Sequence, residues 1–210
     1  MRYFIELQYD GAAYFGWQRQ PDTATVQGTI EAKLSMLRGV PTEIVGAGRT
    51  DTGVNASFYT AHFDCDTAID CQQMAYKLNK VLPHDIAIMR IYEVEESKHA
   101  RFDAKEREYT YFLTPRKSPF RRYSAWHYTA DLDIEAMNKA AAVLLTGFHI
   151  AVTAGNTYCN TVVVIVLHKH HPKLIRNRRV GVDFFVNFID EFILIACALA
   201  HLCWVLSTVN

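Results

Sequence analysis

No pair of cysteines in this chain is spaced like a zinc or redox motif. The five cysteines, Cys65, Cys71, Cys159, Cys197 and Cys203, are odd in number and include no C-x-x-C pair. That pattern argues against a disulfide framework or a metal site, and a reducing cytoplasm is the natural home. Net charge is missing as well, since 22 basic residues balance 22 acidic ones. Bulk charge therefore announces no nucleic-acid partner, and any basic surface must be local. A membrane span is also lacking. Phe192 to Leu206 is a 15-residue run, apolar apart from His201, whereas a bilayer needs roughly 20 residues. A buried helix is the expectation there, with no membrane partner. The start, MRYFIELQYD, alternates like a strand and carries no signal-peptide core.

Half of the residues are apolar and 21% are charged, a globular composition. One local basic stretch stands out. From Lys98 to Arg122 there are eight cations (Lys98, Arg101, Lys105, Arg107, Arg116, Lys117, Arg121, Arg122) against three anions. It reads either as a solvated face or as a surface for a polyanion.

Periodicity orders the first half. Arg2 to Tyr9 alternates as a half-buried strand. Thr25 caps a helix whose Val26, Ile30, Leu34 and Leu37 form one stripe, and Gly39 ends it. Ile44 to Gly46 and Phe58 to Phe63 read as strands. Asp70 opens a second helix with Gln73 three residues on, Pro83 stops it, and Ile86 to Val94 is a further strand. The order β-α-β-β-α-β predicts an antiparallel sheet with both helices on one face, the ferredoxin-like arrangement. The open face of such a sheet is a common RNA platform. A second half begins with the strand-like EYTYFLT, Glu108 to Thr114. A helix then starts at Asp133, with Ile134, Met137, Ala141 and Leu144 on one face and Gly147 at its end. Thr161 to Leu167 is β-branched. The domain expectation is 1–97 and 98–210, both α+β and ferredoxin-like, with a central cleft and the second half incomplete or atypical after 148.

The loop GAGRTDTGV, Gly46 to Val54, follows a strand. No Gly-Lys-Ser/Thr makes it a P-loop, and no G-x-G-x-x-G opens a helix. What remains is Arg49 and Asp51 between paired glycines. An Arg beside an Asp keeps the carboxylate ionised, and glycines allow close backbone approach to a ligand. Two readings stay open: a turn with a structural salt bridge, and a reactive carboxylate. His168, His170 and His171 lack a paired carboxylate or cysteine and read as a basic surface link, not a metal site. Trp17 and Trp126 read as core or edge aromatics.

GAGRTDTGV followed by HFD (His62 to Asp64) resembles the signature loop of the tRNA pseudouridine synthase A family. YDGAAYFGWQRQ (Tyr9 to Gln20), TVQGTIE, LNKVLPHDI (Leu78 to Ile86) and HARFDAKEREYTYFL (His99 to Leu113) are similar to further family motifs in the same order. The resemblance covers residues 1–148. It implies an enzyme, an isomerase of uridine to pseudouridine in the tRNA anticodon stem-loop, with Asp51 catalytic. Tyr109 would stack on the target base and assist loss of its C5 proton, while Arg49, Arg101 and Arg107 bind substrate. No metal and no cofactor are implied. The partners implied are tRNA and a second copy of the chain, in the cytoplasm. Asn55 stands where the family commonly carries His, which removes an imidazole near Asp51.

Past Phe148 the pattern departs. The family continues with a helix that supplies an Arg to pair with the catalytic Asp, and here Leu194 and Ala198 hold those places. Arg176, Arg178 or Arg179 are the candidates to replace it. The alternative function is a catalytically impaired RNA-binding remnant of the same family.

Overall fold

A computed structural model of the chain describes residues 1–129, 133–135, 137–138, 148–154 and 161–168. The chain divides into two compact units, Met1–Ala104 and Lys105–Asn210.

The first unit is α+β. Its elements are β1 (Arg2–Tyr9), α1 (Val26–Arg38), β2 (Val45–Gly46), β3 (Ala56–Asp64), α2 (Cys71–Val81) and β4 (Ile86–Val94), with a 3-10 turn at Gly11–Ala13. The four strands form one antiparallel sheet in the order β2-β3-β1-β4.

Local signals explain the helix ends. The Thr25 hydroxyl accepts the Gly28 N–H and starts α1, and Gly39 closes it in the left-handed region at φ 71°. The Asp70 carboxylate accepts the Gln73 N–H at 2.9 Å and starts α2. The expected apolar stripe of α1 is buried at Val26, Ile30 and Leu34.

That stripe meets alternate residues of the sheet. Tyr3, Ile5, Leu7 and Tyr9 of β1, with Tyr59, Ala61 and Phe63 of β3, face the helices in one core that also holds Leu78 of α2. Each large side chain buried there contributes roughly 1.5–3 kcal/mol. The opposite face carries Arg2, Phe4 and Glu6 of β1, His62 and Asp64 of β3, and Arg90 and Tyr92 of β4, because strand side chains alternate. Bulges at Leu7/Tyr9 and Glu6/Leu7 shift the register at the end of β1, beside the loop described below.

On that open face Glu6 is buried yet charged. Its carboxylate accepts from Arg90 Nε and Nη2 at 2.6 and 2.7 Å and from the Tyr92 hydroxyl at 3.0 Å. The Arg90 guanidinium holds the Glu6 carboxyl below its usual range.

The second unit contains β5 (Glu106–Thr114), β6 (Trp126–His127), β7 (Phe148–Ala154) and β8 (Thr161–His168), in the order β6-β5-β8-β7. β6 runs parallel to β5, and the other pairings are antiparallel. Ile134, Glu135, Met137 and Asn138 are helical after Asp133, whose carbonyl accepts the Met137 N–H at 2.9 Å. Ala141, Leu144 and Gly147, the apolar run from Phe192, and Cys159, Cys197 and Cys203 lie outside the described residues. Among the described residues no helix is long and apolar enough to cross a membrane.

Candidate active site

Asp51 lies in the connection between β2 and β3 and is half-buried, next to an exposed Thr52 and near an exposed Arg49. The Asp51 carbonyl accepts the Val54 N–H at 3.2 Å, and Gly53 has φ 78°. A turn closed from first to fourth residue with a positive φ at its third position demands glycine there. The spacing Asp51-Thr52-Gly53-Val54 is therefore a turn requirement as well as a family signature.

The backbone of this loop is held by the segment that follows β1. The Trp17 N–H donates to the Thr50 carbonyl at 3.0 Å, and the Gly53 N–H donates to the Tyr14 carbonyl at 3.3 Å. Hydroxyls of Tyr9 and Thr50 are 2.9 Å apart. The two backbones approach so closely that side chains are not tolerated. A Cβ on Gly16, which has φ 82°, would collide with the Thr50 carbonyl and press on Asp51 itself. A Cβ on Gly11 would collide with the Val54 carbonyl. The glycines of YDGAAYFGW thus exist to let one motif seat the other.

Aromatic packing supports the near side of the loop. Trp17 is 2% exposed, and its ring centroid lies 4.1 Å from that of Tyr59. The Tyr59 hydroxyl donates to the Gly48 carbonyl at 2.5 Å. Tyr14 reaches across to the start of β4, donating to Asp85 at 2.6 Å. Burial, then this bond to Asp85, raises the Tyr14 pKa well above its usual value.

Asn55 ties the loop to the turn after β1. Its Oδ1 accepts the Gly11 N–H at 2.8 Å.

The other site candidates fall in two places. Arg101 is exposed in the turn His99–Asp103, which closes the first unit. Arg107 and Tyr109 are half-buried on β5 of the second unit, two residues apart and so on one face with Tyr111 and Leu113. Tyr109 pairs with Ile165 in the β5–β8 ladder. Arg49 and Asp51 thus share a loop, Arg101 lies in the same unit, and Arg107 and Tyr109 lie in the other. His168 ends β8. His170, His171, Arg176, Arg178, Arg179, Leu194 and Ala198 lie outside the described residues. Trp126 is on β6 and 43% exposed.

Sequence reasoning missed Gly11, Gly16 and Tyr59 as supports of the Asp51 loop. The doubled glycines of the Tyr9–Trp17 motif were the available signal, because glycine beside aromatics marks close backbone approach.

A family model described as tRNA pseudouridine synthase matches residues 7–103, the span that contains the whole clamp around Asp51. Among curated relatives, a tRNA pseudouridine synthase A of Bacteroides thetaiotaomicron is 46% identical over 143 residues, covering 68% of this chain and 53% of the relative. That of Parabacteroides distasonis is 49% identical over 144 residues, covering 68% and 57%. The chain therefore spans little more than half the length of these relatives. The enzyme of that name from Acetivibrio thermocellus is 33% identical over 190 residues, 87% of this chain and 78% of its own. An alignment of that length continues past Phe148, so similarity reaches into the tail. With its signature loop, its glycine clamp and this extended similarity, the chain belongs to the tRNA pseudouridine synthase A family.

Proposed function

We propose that this chain converts uridine to pseudouridine in the tRNA anticodon stem-loop, with Asp51 as the catalytic carboxylate. The observation that carries the reading is the clamp: a half-buried Asp51 on a turn fixed from both sides by backbone hydrogen bonds. Such rigidity is what a carboxylate needs to meet a ribose carbon in one geometry.

The reaction is balanced within the substrate. The bond from C1′ to N1 breaks, the uracil turns, a bond from C1′ to C5 forms, C5 gives up its proton and N1 gains one. Nothing is oxidised and no group is donated, so the chemistry calls for no cofactor and no metal. Asp51 either attacks C1′ and is later released, or takes the C2′ proton to give a glycal and returns it. Tyr109 stacks on the extruded base and assists removal of the C5 proton. Arg49, Arg101 and Arg107 bind the substrate's phosphates and frame the site.

The architecture that serves this reading is α+β, with two ferredoxin-like halves. A homodimer in the cytoplasm would hold the tRNA across both copies. The second reading, an RNA-binding remnant without catalysis, is favoured by the resemblance, which puts Leu194 and Ala198 in the places of the family's pairing Arg.

The experiment is tritium release from an anticodon stem-loop labelled at uridine C5. The synthase reading expects one tritium lost to water for each uridine converted. RNA binding without tritium release would establish the remnant instead.

A further inference from the structure

The end of the first unit, residues 95–103, is fastened to the open face of the sheet by groups the proposed reaction does not use. Arg2 of β1 donates through Nη1 to the Glu96 carbonyl at 2.9 Å and to the Lys98 carbonyl at 2.8 Å. Its other nitrogens grip Asp64 of β3 at 2.8 and 2.9 Å. Two residues along β3 from Asp64, His62 is 3% exposed, and its Nδ1 accepts the Ala100 N–H at 3.2 Å. Its ring lies 6.0 Å from Phe4 and meets His99 edge-on at 4.6 Å.

His99 repeats the device. Its Nδ1 accepts the N–H groups of Arg101 at 3.2 Å and Phe102 at 3.3 Å, and its ring stacks on Phe102 at 4.2 Å. The turn is closed by the His99 N–H donating to Asp103 Oδ2 at 2.7 Å and by the Asp103 N–H donating to the His99 carbonyl at 2.9 Å. Three consecutive amides, those of Ala100, Arg101 and Phe102, therefore end on imidazole nitrogens. An Nδ1 that accepts an N–H carries no proton of its own.

We propose that His62 and His99 are positioning residues for Arg101: two imidazoles, one on the sheet and one in the turn, hold the backbone from which Arg101 reaches RNA phosphate. The proposal rests on the reading of Arg101 as an RNA-binding residue. The reason for imidazole here is geometric. The Ala100 amide is buried against β3, and a buried amide without an acceptor is costly. A ring nitrogen supplies the acceptor, while the ring itself continues the aromatic row Phe4–His62–His99–Phe102. Charged neighbours of His62 are Arg2, which disfavours its protonation, and Asp64, which favours it.

The test is a double-mutant cycle on the full chain, read as affinity for an anticodon stem-loop RNA at neutral pH. Arg101→Ala should weaken binding about tenfold, as loss of a charge-assisted contact does. His62→Phe keeps a ring and removes the acceptor, and should lose nearly as much. His62→Asn restores an acceptor at the Nδ1 place and should bind within about twofold of the unmodified chain. His62→Gln displaces the acceptor and serves in place of Phe if that variant does not fold. In the Arg101→Ala background His62→Phe should cost nothing further, because residues coupled through one backbone segment are non-additive. Hydrogen exchange at the Ala100 amide should quicken in His62→Phe and not in His62→Asn. Additive losses, or unchanged affinity in His62→Phe, would overturn the proposal. If Arg101→Ala binds normally while the Ala100 amide responds as expected, the turn is held but serves no RNA contact, which overturns it too. Failure of the unmodified chain to bind the RNA would instead defeat the functional reading on which the proposal stands.

Discussion

At the scale of single residues, His62 gives the fold a pH dependence that can be isolated. Burial first, then the charge of Arg2 and the neighbouring His99, push its pKa down from 6.5 to about 4. The folded state therefore holds the neutral ring where the unfolded chain is already protonated. Between those values the unfolded state binds more protons, so stability rises with pH from about 4 to 6.5 and is lost on acidification through that window. The lowered carboxyls of Glu6 and Asp64 add their own loss at the acid end, since their ordinary values are 4.5 and 3.8. Urea midpoints measured from pH 4 to 7 should climb in the unmodified chain, and His62→Phe should flatten the climb above about pH 5. Parallel curves would mean that another group supplies it.

At the scale of elements, the seating of the Asp51 loop on the Tyr9–Trp17 segment makes a sharp contrast between two glycines. Gly16 and Gly39 both have positive φ, but a Cβ on Gly39 meets nothing within 4 Å, whereas one on Gly16 meets the Thr50 backbone. Gly39→Ala carries only the backbone term of about 1–2 kcal/mol. Gly16→Ala adds a collision that moves the Asp51 loop, and should destabilise by about 3 kcal/mol or more. Chemical denaturation of both variants measures the difference, and equal losses would show that the loop yields without cost. The same elements explain what could be read in advance. Thr25, Asp70 and the stripe Val26, Ile30, Leu34 made α1 and α2 legible, because caps and periodicity act locally. β3 begins at Ala56, earlier than its apolar run, because Ala56 pairs with Tyr9 across the sheet. β6, only Trp126–His127, exists through its pairing with β5 and leaves no pattern of its own. The loop's candidate side chains, Arg49 and Asp51, were visible in the sequence. Its support was not, since hydrogen bonds from Trp17, Gly11 and Gly53 depend on two distant segments meeting.

For the whole molecule, neutrality hides an uneven distribution of charge. From Tyr109 to Ala130 the sequence holds no Asp or Glu, while Arg116, Lys117, Arg121 and Arg122 are all present. The Arg122 guanidinium lies 4.4 Å over the Tyr123 ring, and Phe120 is 96% exposed. Cations interleaved with exposed rings suit a polyanion with stacking bases, in keeping with the proposed tRNA substrate. The candidate chemistry is likewise divided, with Arg49, Asp51 and Arg101 in one unit and Arg107 and Tyr109 in the other. The account therefore turns on whether Asp51 does the chemistry of the whole chain. Single-turnover conversion of an anticodon stem-loop, followed by mass-spectrometric mapping of pseudouridine, compares the unmodified chain with Asp51→Asn. The account predicts conversion by the former, none by the latter, and RNA affinity of the two within about threefold, since only a transition-state role is removed. Pseudouridine formed by Asp51→Asn would contradict it.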